Sequence, residues 1–61
     1  MKTSEMIKKV KKIGCFLKRH GGDHDIWYSP RTGKQFTLPG HPGREIPKGT
    51  AEKIMKDAGL Y

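Results

Sequence analysis

The chain has a single cysteine, no long apolar run and few acids to set against its bases. Each shortage excludes something. Cys15 alone cannot close an internal disulfide, so a reducing compartment is expected, with Cys15 as a small buried hydrophobe in a strand. Behind Met1-Lys2-Thr3-Ser4-Glu5 there is no apolar segment of the kind a signal peptide needs, and nothing fit to span a bilayer, which makes the cytoplasm the expected location. With 61 residues the chain is expected to form one domain, residues 1–61. A domain of this size buries only roughly 60% of the surface its unfolded chain exposes. Such a thin core leaves little room for a deep cofactor pocket, and no cofactor is expected.

Positive charge is what the chain has in quantity: 13 Lys and Arg against 6 Asp and Glu, a net +7. That field draws phosphate polymers or anionic membranes. In the absence of a bilayer-entering segment, nucleic acid is the expected partner and no membrane is. Within this field lies Gly21-Gly22-Asp23-His24, an imidazole at the mouth of a glycine turn. Histidine is the side chain whose ordinary pKa lies nearest neutrality, so it can both take and return a proton.

Met6, Ile7, Val10 and Ile13 recur at helical spacing, with Thr3 or Ser4 as the expected cap and Gly14 as the stop. Lys8, Lys9, Lys11 and Lys12 occupy the opposite face. Residues 15–20 and 25–29 read as strands joined by Gly21 and Gly22, which are expected to supply the positive φ of a tight hairpin. Pro30-Arg31-Thr32-Gly33 is a turn signal, and Lys34–Leu38 alternates as a half-buried strand does. Alternation is expected to bury Tyr28 with Ile26 and to expose Trp27 for stacking or partner contact. Three prolines and three glycines across residues 39–49 exclude regular structure there. Ala51, Ile54, Met55 and Ala58 define a closing helix, ended by Gly59 with Leu60 folding back. The expected fold is α+β, in the order α-β-β-β-α. It has a three-stranded antiparallel sheet with both helices on one face, the order found in double-stranded-RNA-binding domains.

The residues also support a narrower resemblance, to the HicA family of bacterial toxins, small mRNA interferases of toxin–antitoxin pairs. Family members share a basic first helix, Gly-Ser-His at the first hairpin turn and a proline after strand two. They also share Pro-x-His after strand three and a last helix introduced by Lys-Gly-Thr. The corresponding pieces here are Gly22-Asp23-His24, Pro30, Pro39-Gly40-His41 and Lys48-Gly49-Thr50, spread over about residues 3 to 60. The family's serine is Asp23 in this chain. A carboxylate also accepts a hydrogen bond from turn backbone, so the turn is expected to survive, and Asp23 is placed to orient His24 or stabilise its charge.

The resemblance implies a toxin that cleaves mRNA as an endoribonuclease without metal, His24 serving as general acid/base, with a HicB-like antitoxin protein as partner. Lys8, Lys12, Lys18, Arg19, Gly22, Arg31 and Lys34 are the expected RNA-binding residues, the hairpin set gripping the scissile region. His20 is weighed as a second proton donor against a plain surface role, and His41 as a structural residue or antitoxin contact. Cys15, His20, Asp23, His24 and His41 are all candidate metal ligands, and the His20–His24 interval resembles half of a zinc finger. The cysteine pair such a site needs is missing, so no metal is expected. Two other readings use the same features: a non-catalytic RNA-binding module, and a cationic membrane-active peptide. If RNA is the ligand, affinity should fall steeply between about 50 and 200 mM salt as counterions compete for the phosphates. A flat salt titration of binding would exclude a polyanion partner.

Overall fold

Five elements form from these patterns: α1 (Thr3–Lys12), β1 (Phe16–His20), β2 (His24–Ser29), β3 (Lys34–Pro39) and α2 (Lys48–Ala58). They are described here in a computed structural model of residues 1–61. The strands form an antiparallel meander with β2 in the centre, and the order is the expected α-β-β-β-α. Met6 and Val10 of α1 and Ala51, Ile54 and Ala58 of α2 meet Trp27, Phe36 and Leu38 of the sheet, with Cys15 and Ile46 closing the core. Both helices therefore bury their apolar stripes on one face of the sheet, and the other face is left open.

The alternation on β2 is the reverse of the expected one. Trp27 is buried at 4% exposure and Tyr28 is only half-buried. The cross-strand register gives the reason: Trp27 stands opposite Phe36, a core residue of β3, while Tyr28 stands opposite Gln35. Packing the largest ring with Phe36 and Leu38 outweighs what Tyr28 could contribute to so small a core. The indole N–H finds no acceptor in the chain.

Both helices end as their glycines imply. At the end of α2, Gly59 adopts φ +92°, and the amides of Gly59 and Leu60 return to the carbonyls of Lys56 and Met55. Gly14 ends α1 in the same way at φ +95°. The start of α1 is a different matter, because a tertiary partner supplies its cap. Neither Thr3 nor Ser4 caps α1 with its side chain; instead their amides donate to the carbonyls of Arg44 and Pro42, both at 2.9 Å. The buried Thr3 hydroxyl donates to the Arg44 carbonyl as well, at 2.8 Å. The proline- and glycine-rich segment after β3 is thus ordered by satisfying the orphan donors of a helix far away in sequence, where Thr3 and Arg44 are 41 residues apart.

The turn between β2 and β3 performs the mirror task at the far end of α2. The Ser29 hydroxyl donates to the Ala58 carbonyl at 2.7 Å and Thr32 to the Asp57 carbonyl at 2.5 Å. Arg31 reaches the Gly59 carbonyl at 3.4 Å. Ser29 and Ala58 are both fully buried, so Ser29→Ala leaves a carbonyl short of its best donor. It should lower the unfolding free energy by about 1–3 kcal/mol. An unchanged midpoint in urea denaturation would show that this bond does not hold α2 to the sheet.

Candidate active site

His24 is the first residue of the central strand, and its conformation is set by the hairpin that precedes it. The Gly21 amide donates to the His24 carbonyl at 2.9 Å, and the Gly40 amide donates to the Asp23 carbonyl at the same distance. Neither Gly21 nor Gly22 has a positive φ, contrary to expectation. Gly21 is required for a different reason: a Cβ there would lie 2.4 Å from the His24 carbonyl oxygen. A Cβ at Gly22 meets nothing within 4 Å.

With Trp27 inward, period-two alternation turns His24, Ile26 and Tyr28 to the open face. The His24 side chain is exposed and makes no hydrogen bond within the chain, leaving both ring nitrogens free. It lines an open groove of about 560 Å³ together with Thr37, Pro39, Arg44, Glu45, Pro47 and Thr50. A larger hollow, about 650 Å³, lies between Ile46, Met55 and Tyr61 and holds no histidine. Only the groove brings a histidine together with an arginine. Thr50 also brings the start of α2 to the groove. The amides of Lys48, Gly49 and Thr50 have no acceptor within the chain, because α2 begins at Pro47 without a side-chain cap. Free amides at a helix start carry partial positive charge and favour an anion.

The side chains expected to serve His24 are arranged otherwise. None of Lys8, Lys12, Lys18, Arg19, Gly22, Arg31 and Lys34 lines the groove. Arg31 and Lys34 belong to the opposite end of the sheet: Ser29 pairs with Lys34 and His24 with Pro39, five residues along β2, or about 17 Å. Arg31 is spent on the α2 terminus. Lys8 and Lys12 are exposed on α1. Lys18 and Arg19 lie on the open face of β1, where Arg19 pairs with Ile26, two residues from His24.

His20 is taken away from His24 by an irregularity in β1. Leu17 pairs with Trp27 but Arg19 pairs with Ile26, so Lys18 is an extra residue, and the alternation beyond it is shifted. His20 therefore pairs with Asp25 on the helix-bearing side, its Nδ1 3.1 Å from the Asp25 carboxylate. Asp23 does not orient His24, since no hydrogen bond or ion pair joins them; the one histidine–carboxylate pair is His20–Asp25. His41 contributes its carbonyl to the Arg44 amide, at 3.0 Å, and stays out of the groove.

Arg44 is the residue that the sequence reading missed. Its signal was weak: one arginine in a proline–glycine segment, where proximity to His24 depends on that segment wrapping back to α1.

The family described as HicA toxin of bacterial toxin–antitoxin matches residues 3–60. A protein of Photorhabdus laumondii subsp. laumondii named "Probable mRNA interferase HicA 2" is 33% identical over 60 residues, covering 98% of each chain. This chain belongs to the HicA toxin family. In this HicA chain two of the resembling segments, Gly22-Asp23-His24 and Lys48-Gly49-Thr50, come from different halves of the sequence and meet at one groove, through His24 and Thr50. The hairpin geometry separates the two glycines beside that histidine. Gly21→Ala should push the His24 backbone out of register and impair both stability and RNA cleavage, whereas Gly22→Ala should leave both close to wild type. Equal behaviour of the two variants in thermal melts and cleavage assays would contradict this geometry.

Proposed function

We propose that the chain is the toxin of a toxin–antitoxin pair and acts as an endoribonuclease on mRNA, with His24 as its proton-transfer residue. The observation that carries this reading is the free, exposed His24 imidazole in a groove shared with Arg44 and the start of α2. Family membership and the relative named an mRNA interferase support the substrate class.

RNA supplies its own nucleophile. The 2′-oxygen attacks the adjacent phosphorus while its proton passes to His24, the bond from phosphorus to the 5′-oxygen breaks, and the leaving oxygen is protonated. A positioned general base or acid contributes about 10²–10⁴-fold to such a step. Arg44 and the start of α2 line the same groove and supply positive charge for the phosphoryl oxygens, where fixed donors act most strongly. The reading assigns the proton transfer to His24 with no metal in the step. The whole of residues 1–61 acts as one unit in it, since the groove takes residues from both halves of the chain.

The cationic residues Lys8, Lys12, Lys18, Arg19 and Lys34 hold RNA outside the groove. A HicB-like antitoxin with acidic groups would silence the toxin by covering His24 and this surface. No helix is long and apolar enough to cross a membrane, and the reading places the reaction in the cytoplasm.

His24→Ala should abolish RNA cleavage and growth arrest while leaving the circular dichroism spectrum intact, and chelator should leave wild-type cleavage unchanged. Full activity in the variant would remove His24 from the mechanism. A folded variant and a wild type that both bind RNA without cutting it would favour the non-catalytic binding module.

A further inference from the structure

The open face of the sheet carries an arrangement that proton transfer at His24 does not use. Phe16 of β1 and Tyr28 of β2 are cross-strand partners on that face, with ring centroids 5.6 Å apart and planes tilted by 48°. Phe16 is 50% exposed, a large apolar area to leave in water for a chain with so thin a core. The extra residue in β1, Lys18, sets its ammonium 5.9 Å from the centre of the Tyr28 ring. Next to the rings, Lys18, Arg19, Ile26 and Gln35 line a shallow hollow of about 240 Å³. The paired open-face positions of the strands are Phe16, Arg19, His24, Ile26, Tyr28, Gln35, Thr37 and Pro39, none of them acidic.

We propose that this face is a stacking platform for a single-stranded segment of the RNA substrate, with Phe16 and Tyr28 receiving bases and Lys18 and Arg19 the flanking phosphates. The proposal rests on the RNA-cleaving reading above and refines it by stating which form of RNA is held, and where. Every base has a π face, so aromatic rings beside cations bind single strands with little regard to sequence. In a duplex those faces are already stacked and unavailable to Phe16 and Tyr28. The charge of the face selects a polyanion over a neutral apolar protein surface. Geometry ties the platform to the groove: His24, Ile26 and Tyr28 step along one strand at about 7 Å per pair of residues. Tyr28 thus lies about 13 Å along the strand from His24.

The test uses a short 2′-O-methyl RNA, which cannot be cut, as a single strand and as a duplex, with binding followed by fluorescence anisotropy. The pair Phe16→Leu with Tyr28→Leu keeps apolar bulk and removes the rings; the pair Phe16→Tyr with Tyr28→Phe keeps the rings. Emission from Trp27, buried on the other side of the sheet, reports whether each variant is folded. Stacking is worth about 5- to 150-fold per base. The leucine pair should therefore weaken single-strand binding at least about tenfold and duplex binding little, with the ring-keeping pair close to wild type. If the leucine pair unfolds the chain, the same criterion is applied to Phe16→Leu alone, the half-exposed ring.

Undiminished single-strand binding by the folded leucine variant overturns the platform. So does equal weakening of single strand and duplex, or wild-type protein that binds neither. His24→Ala is run alongside. Cleavage lost in His24→Ala but single-strand binding untouched by the leucine pair sinks the platform and leaves the catalytic reading standing. Cleavage retained in His24→Ala with single-strand binding lost in the leucine pair does the reverse.

Discussion

The inward setting of Trp27 on the central strand is the constraint from which the rest of this structure follows. A three-stranded sheet covered on one side has one buried and one open face, and successive residues of β2 must alternate between them. Trp27 is the largest side chain available to the core, and its partner across the ladder is Phe36. Once that pair is buried, His24, three residues earlier, is turned to the open side, and Tyr28 with it. Shifted by one residue, the register would bury the imidazole beneath the helices and leave the indole in water.

A second constraint is the satisfaction of helix ends. The proline- and glycine-rich segment after β3 has no regular structure of its own. Its carbonyls at Pro42 and Arg44 accept the first amides of α1, and this holds it in one conformation. Because that segment is tied down, Arg44 comes to line the His24 groove, and α2 begins close enough for Thr50 to join it. At the other pole, Ser29, Arg31 and Thr32 take up the last carbonyls of α2. Helix capping and site assembly are therefore coupled in this small fold, since the loop that caps α1 also supplies Arg44, Glu45 and Pro47 to the groove.

The division of the basic residues follows from the same two constraints. Arg31 is near His24 in sequence but reaches a helix terminus instead, and Lys34 starts β3 at the end remote from the histidine. Arg44 was inconspicuous in sequence, yet a backbone that caps α1 brings it to the groove that His24 lines. His20 is only four positions from His24, and the extra residue at Lys18 puts it on the other side of the sheet with Asp25.

The order of elements, the helix stops at Gly14 and Gly59 and the apolar stripes of both helices were legible in the chain. Periodicity and left-handed glycine stops are local properties that neighbouring residues settle among themselves. Exposure of His24 at the first hairpin was legible as well, through its glycine turn. Only the tertiary structure decided which of Trp27 and Tyr28 faces inward. Each flanks the same strand with an aromatic ring, and the choice depends on what β3 and the helices present to it. It alone also decided that Gly21 is needed for close approach to a carbonyl rather than for a positive φ, that α1 takes its cap from a distant loop, and that Arg44 shares a groove with His24. These are contacts between segments far apart in the chain, and a pattern along one segment carries no information about which distant carbonyl or side chain will be folded against it.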